Sequence, residues 1–212
     1  LEVIGIILAV IILDIVMKGL PNISLDFITS APSMGGREGG IMPAIVGTLE
    51  LMAGTAVIAL PLGILTGIYL AEYAKDNKLN RAIRGAIDTL NGTPSVVFGL
   101  FGLSFFVIYL GIGYSLIAGW ATLSMMILPV IIRTTEESIR AVPNELREAS
   151  RAMGATKWQT TYRVVFPAAI GGTITGAILS LGRATGETAP IMFTVAVAFH
   201  PSLAKSIMDP VM

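Results

Sequence analysis

Two arginine–carboxylate pairs stand at the ends of otherwise apolar sequence: Arg133 with Glu136, three residues apart, and Arg183 with Glu187, four apart. On a helix either spacing lets the two side chains touch. An ionised side chain at the centre of a membrane helix costs about 2.5–3.5 kcal/mol, so such residues usually face a cavity or a partner. Their chemistry is the handling of charge rather than the making of bonds. The chain has no cysteine, and its one histidine, His200, sits beside Pro201, so no metal centre is expected. No G-x-x-x-x-G-K-[ST] stretch is present to cradle a nucleotide, and the apolar runs hold no nucleophile–base pair. A non-catalytic chain without a cofactor is the expectation.

The elements that must position these pairs are membrane helices. Hydrophobic residues make up 54% of the 212, charged residues only 13%, and the mean hydropathy is +0.79. A soluble domain carries about 25% charged residues. The formal net charge is zero, which leaves a nucleic-acid partner without electrostatic support. A bilayer core of about 30 Å calls for about 20 apolar residues per helix. Residues 3–17, 44–71, 90–110, 116–132 and 164–181 meet that requirement, the first only marginally because Asp14 interrupts its end. The run 3–17 lacks the basic leader and small-residue cleavage site of a signal peptide. The expected fold is therefore all-α: a polytopic transmembrane helix bundle of five spans, one domain over residues 1–212. Because the chain begins with Leu1 inside an apolar run and stops in loop-like sequence, it reads as a fragment cut at both ends.

Basic residues cluster between the second and third spans (Lys75, Lys78, Arg81, Arg84) and between the fourth and fifth (Arg140, Arg147, Arg151, Lys157, Arg163). The positive-inside rule puts both loops in the cytoplasm and the irregular loop 19–43 outside. Gly63/Gly67 and Gly172/Gly176 form G-x-x-x-G pairs. They read either as close packing within one bundle or as a face for a second membrane subunit.

In the second basic loop, residues 138–160, Pro143 and Asn144 can open a short helix with Asn144 as its N-cap and Glu145 near its positive end. Leu146, Ala149 and Met153 recur at helical spacing and form one narrow apolar face. Gly154 suits the left-handed position that stops such a helix, and Thr156-Lys157-Trp158-Gln159 is a capping-box pattern for the next. By physics alone this is either a solvated connector or a grip for a partner.

The run Glu148-Ala149-Ser150, with Gly154 and then Val164-Val165-Phe166-Pro167, resembles the "EAA" loop of ABC importer permeases, with Ser150 in place of the second alanine. Thr93-Pro94-Ser95, Arg133-Thr134-Thr135-Glu136 and Gly186-Glu187-Thr188-Ala189-Pro190 narrow the resemblance to the PstA-type permeases of phosphate importers. That resemblance implies the type I importer permease fold with a sixth span. It also implies a coupling helix in which Glu145, Leu146, Glu148, Ala149, Met153 and Gly154 meet the ATPase. The transport pathway it implies is marked by Arg133, Glu136, Arg183 and Glu187, each arginine touching phosphate in passing and each carboxylate limiting how tightly it is held. The same pairs also read as structural ion pairs. The implied partners are a homologous PstC-like permease, a PstB-like ATPase dimer, a PstS-like external phosphate-binding protein and the lipid of the cell membrane. Another oxyanion, such as molybdate or sulfate, is the alternative substrate. An ATP-independent channel or secondary carrier is the alternative class, although no inverted repeat supports it.

Overall fold

A computed structural model describes residues 2–34, 38–196 and 206–210. His200, Arg37 and Lys205 lie outside the described residues. Among the described residues four helices are long and apolar enough to cross a membrane: α1 (Glu2–Gly19), α3 (Met42–Ile68, continued by a wide π-turn over Tyr69–Tyr73), α6 (Leu116–Arg140), and α9 (Phe166–Thr185), which continues α8 (Lys157–Thr160) through a second π-turn at Thr161–Val165. A bent pair, α4 (Lys78–Asn91) and α5 (Ser95–Gly102, continued by a π-turn over Leu103–Tyr109), makes up the fifth.

That pair corrects the expected span 90–110. Its two halves meet at 100°, and only Ser95–Tyr109 is continuous apolar helix. Pro94 lacks an amide hydrogen and drives Thr93 out of helical conformation, so α4 must end before it. α4 itself is amphipathic, with Asn77 as its N-cap: Asn77 Oδ1 accepts the Asn80 amide at 2.8 Å. The glycine turn between the third and fourth spans is as expected, Gly111 and Gly113 both taking positive φ (66° and 75°). Among its described residues the loop 19–43 contains a 3₁₀ turn at Leu20–Asn22, a short α-helix, α2 (Leu25–Thr29), capped by Ser24, and a two-residue antiparallel pairing of β1 (Pro32–Ser33) with β2 (Glu38–Gly39).

α6 is the centre of the bundle, its buried face made of Leu123, Met126, Ile127 and Ile131. α3 lies parallel to it and α9 antiparallel. Glycine lets both approach closely: a Cβ on Gly63 would lie 2.6 Å from Ile131 and one on Gly67 2.7 Å from Thr135. On the other side, a Cβ on Gly172 would lie 2.4 Å from Ser138 and one on Gly176 2.3 Å from Thr134. Both G-x-x-x-G pairs therefore pack within the bundle, Gly63, Gly67 and Gly176 buried and Gly172 at its exposed edge. With lipid on the outside, close backbone contact supplies the dispersion energy that the hydrophobic effect supplies in water. α1, by contrast, is exposed at every residue from Ile4 onward.

The last element among the described residues is α10 (Ala189–Thr194). α9 stops at Thr185, Gly186 interrupts the helix, and α10 carries the chain on to the start of α6, where the Thr194 carbonyl accepts the Ser115 amide at 3.2 Å. The fifth apolar stretch, 164–181, is continuous helix as expected, and the break lies just beyond it at Gly186.

Candidate functional site

The register of α9 on α6 gives the depth of that break. Gly172 faces Ser138 and Gly176 faces Thr134, so the antiparallel pairing brings Arg183 level with Ile127, roughly half-way along α6 at 1.5 Å per residue. Its neighbour Ala184 packs in the same cluster as Ile127. Arg183 Nε donates to Glu187 Oε1 at 3.3 Å across the helix end, as the four-residue spacing predicts. Arg183 is 44% exposed while Glu187 is largely enclosed, so the guanidinium is the accessible member. Arg183 thus stands at the C-terminal end of α9, beside the non-helical backbone of Gly186–Thr188, and an ionisable side chain at such a depth usually faces a cavity or a partner.

The second pair belongs to a larger cluster about 9 Å further along α6. Glu136 is 2% exposed; its Oε1 accepts from Arg84 Nε at 2.8 Å and lies 2.7 Å from Arg140 Nη2 in an ion pair. Arg133, the partner expected from sequence, is more distant: its Nη1 is 3.8 Å from Glu136 Oε2, and its Nε lies closer to Glu137, at 3.0 Å, with Asp88 at 3.7 Å. The carboxylate that sequence spacing paired with one arginine is shared by three. Arg84 is the most buried of them, 19% exposed, and its Nη2 also donates to the Leu70 carbonyl at 2.7 Å in the first π-turn. Burying a carboxylate is tolerable only when it is paired, which Arg84 and Arg140 accomplish at Oε1.

At the same end of the bundle, α7 (Asn144–Ala152) projects with no residue buried. Leu146 is 42% and Met153 89% exposed, and Ala149, Glu145 and Glu148 are exposed beside them. The helix begins one residue earlier than expected: Pro143 is the N-cap, and Asn144 is the first helical residue, its Oδ1 accepting from Arg147 at 3.3 Å. Pro143 has extended backbone that leads directly into a helix, which leaves Asn144 no capping role. The stop is as expected. Gly154 takes φ +84°, its amide bonds the Arg151 carbonyl at 2.9 Å, and the Ala155 amide bonds that of Ser150 at 3.2 Å, a complete Schellman closure. Thr156 and Gln159 form the capping box that starts α8.

Sequence reasoning missed three residues. Arg147 Nη2 and Nε hold Glu72 Oε1 at 2.8 and 2.9 Å, and Arg147 also donates to the carbonyls of Ile139 and Val142. Glu72 and Arg147 are 7% and 12% exposed, 75 residues apart in sequence. Arg84 is 52 residues from Glu136. For Arg84 a signal existed: Asn80, Arg84 and Ile87 recur at helical spacing, and Asn80 and Ile87 are the buried residues of α4. For the Glu72–Arg147 pair no local pattern was available.

A central helix flanked by two glycine-packed helices, a bent span, a cation at the end of α9 and an exposed capped helix at the basic end make up a multi-pass helical membrane subunit. Residues 59–209 match the family described as binding-protein-dependent transport system inner membrane component, and the chain belongs to that family. It is 42% identical over 180 residues, 85% of its length, to the probable ABC transporter permease protein YqgI of Bacillus subtilis. It is 37% identical over 180 residues to the phosphate transport system permease protein PstA of Xylella fastidiosa, and 34% over 187 residues to that of Haemophilus influenzae, 85% and 87% of its length. The chain spans 61%, 63% and 65% of these three curated relatives. Among solved structures, an inward-facing form of the MetNI methionine ABC transporter superposes with a TM-score of 0.56 and 28% identity, covering 67% of this chain and 69% of that one. The fold is that of the type I ABC importer permeases.

Proposed function

We propose that this chain is the permease subunit of an ATP-driven importer that moves inorganic phosphate into the cytoplasm across the cell membrane. The observation that carries the reading is the cation at the helix break: Arg183, level with the middle of α6, in a chain more than a third identical to permeases named for phosphate transport. An anion crossing the low-dielectric centre of a bilayer needs a compensating charge there, and a guanidinium matches a phosphate's oxygens with paired donors. Glu187 competes for that guanidinium and so limits how long the anion stays. Arg133, half-exposed and about 9 Å nearer the cytoplasm, is the next contact, its hold limited by Glu136 and Glu137.

Hydrolysis belongs to a separate ATPase dimer. α7, within the loop 138–160, is the helix that sits on it, offering Leu146, Ala149 and Met153 to a groove, with Glu145 and Glu148 at the edges and Gly154 closing the turn. A homologous permease completes the membrane pathway, and an external phosphate-binding protein delivers the substrate. The test is reconstitution of the four components in liposomes with radiolabelled phosphate outside and ATP inside. Phosphate accumulation that needs ATP and is not competed by molybdate or sulfate is the expected result. Uptake of one of those oxyanions in place of phosphate, or ATP hydrolysis by this chain alone, overturns it.

A further inference from the structure

The exposed helix α7 is fastened to the bundle at two of its π-turns, Tyr69–Tyr73 and Thr161–Val165. Arg147 grips Glu72 within the first, Tyr69–Tyr73. The Ser150 hydroxyl lies 2.9 Å from that of Thr160, the residue that enters the second, Thr161–Val165. The two turns touch each other, Tyr73 Oη donating to Thr161 Oγ1 at 3.4 Å. A π-turn has one residue too many for the helical ladder, so it is where a helix shifts register or bends most readily. Above these turns the glycine contacts hold α3, α6 and α9 together closely. The bundle is therefore firmly packed beyond the turns and adjustable at them.

The first turn is held from a second side. Two residues before Glu72, the Leu70 carbonyl accepts from Arg84, and the same guanidinium binds Glu136. A continuous run of short polar contacts therefore leads from α7 through Arg147 and Glu72 into the π-turn, out at Leu70 to Arg84, and on to Glu136 beside Arg133. Four of its members are at least four-fifths buried (Arg147, Glu72, Arg84 and Glu136), so water does not readily replace the contacts.

We propose that Arg147, Glu72 and Arg84 are positioning residues that convert displacement of α7 into displacement of the Glu136–Arg133 cluster, with the π-turn Tyr69–Tyr73 as the joint between them. The proposal rests on the transport reading above. A pull on α7 is applied to Glu72 through two guanidinium hydrogen bonds. The turn yields, the Leu70 carbonyl moves, and Arg84 carries the movement to Glu136. Since Arg133 is held by Glu136, Glu137 and Asp88 together, a shift of Glu136 changes how free that arginine is to meet an anion.

The test uses the reconstituted complex. The chain contains no cysteine, so single cysteines at exposed Leu79 on α4 and Ile178 on α9 can be spin-labelled alongside cysteine-free partners. In Glu72→Gln and Arg147→Gln complexes, ATP hydrolysis should stay within about twofold of wild type while phosphate moved per ATP falls about tenfold. The nucleotide-driven change in label distance should disappear with it. The exchanged pair Glu72→Arg/Arg147→Glu should recover about a third of the wild-type ratio. An unchanged ratio with label movement intact in the single variants, or no recovery in the assembled exchanged pair, overturns the proposal. If the neutral variants do not assemble, Arg147→Lys decides. A single ammonium cannot hold Glu72 and the carbonyls of Ile139 and Val142 together, so the ratio must fall about threefold or the proposal is wrong. A wild-type complex that hydrolyses ATP and moves its labels but carries no phosphate removes the substrate reading and leaves the relay standing.

Discussion

Replacing Gly154 isolates the contribution of one backbone angle. Its φ of +84° is required by the two closing bonds, Gly154 to Arg151 and Ala155 to Ser150. A Cβ built on Gly154 has no heavy atom within 4 Å, so within this chain the cost of a side chain is conformational and not steric. For an L-residue the left-handed conformation costs about 1–2 kcal/mol, more for a β-branched one. With no buried residue, α7 has little packing to offset that cost. Gly154→Val should therefore open the closure and reduce the docking-competent form of α7 about tenfold, each 1.4 kcal/mol being a factor of ten. The assay is ATP-driven phosphate uptake at matched assembly in membranes, with Gly154→Asn alongside, since asparagine tolerates the left-handed region. Uptake should fall about tenfold in the valine variant and less than about threefold in the asparagine variant. Equal loss in both would show that the position needs an absent side chain against a partner rather than a positive φ. Wild-type uptake in Gly154→Val would refute the coupling role of the helix stop.

The remaining predictions concern the charges and the packing. Arg183→Gln should lower uptake about tenfold without loss of assembly, and Arg183→Gln/Glu187→Gln should stay low; recovery in the double variant would make Arg183 a structural partner of Glu187 only. Arg84→Gln removes bonds to both Glu136 and the Leu70 carbonyl and should destabilise the purified chain by about 2 kcal/mol. Arg133→Gln, half-exposed and 3.8 Å from Glu136, should cost less than about 1 kcal/mol, and thermal scans in detergent giving the reverse order would contradict the geometry. Gly176→Val forces a Cβ to 2.3 Å from Thr134 Oγ1 and should lower the melting temperature by about 5 °C, whereas Gly182→Ala, with open space around it, should be neutral.

What the sequence by itself determined is local. Five apolar stretches follow from transfer free energy, which depends on composition over a window of about 20 residues. The helix stop at Gly154 and the box at Thr156 and Gln159 involve residues at most five apart, so their chemistry is complete within the segment. The pair Arg183–Glu187 is of the same kind. The tertiary structure decided what lies between segments. Glu136 was legible as a partner of Arg133, but its two closest guanidiniums include Arg84, brought from 52 residues away by the 100° bend before Pro94. The grip of Arg147 on Glu72 has no trace in either segment, because it exists only once α7 folds back under the π-turn of α3. The depth of Arg183 was likewise illegible: position along its own helix suggested an end, and only the register against α6, fixed by how closely Gly172 and Gly176 approach their neighbours, puts that end at mid-bundle. Hydrophobicity and capping are properties of short windows, whereas ion pairs and helix register are properties of surfaces that meet only when the chain is packed.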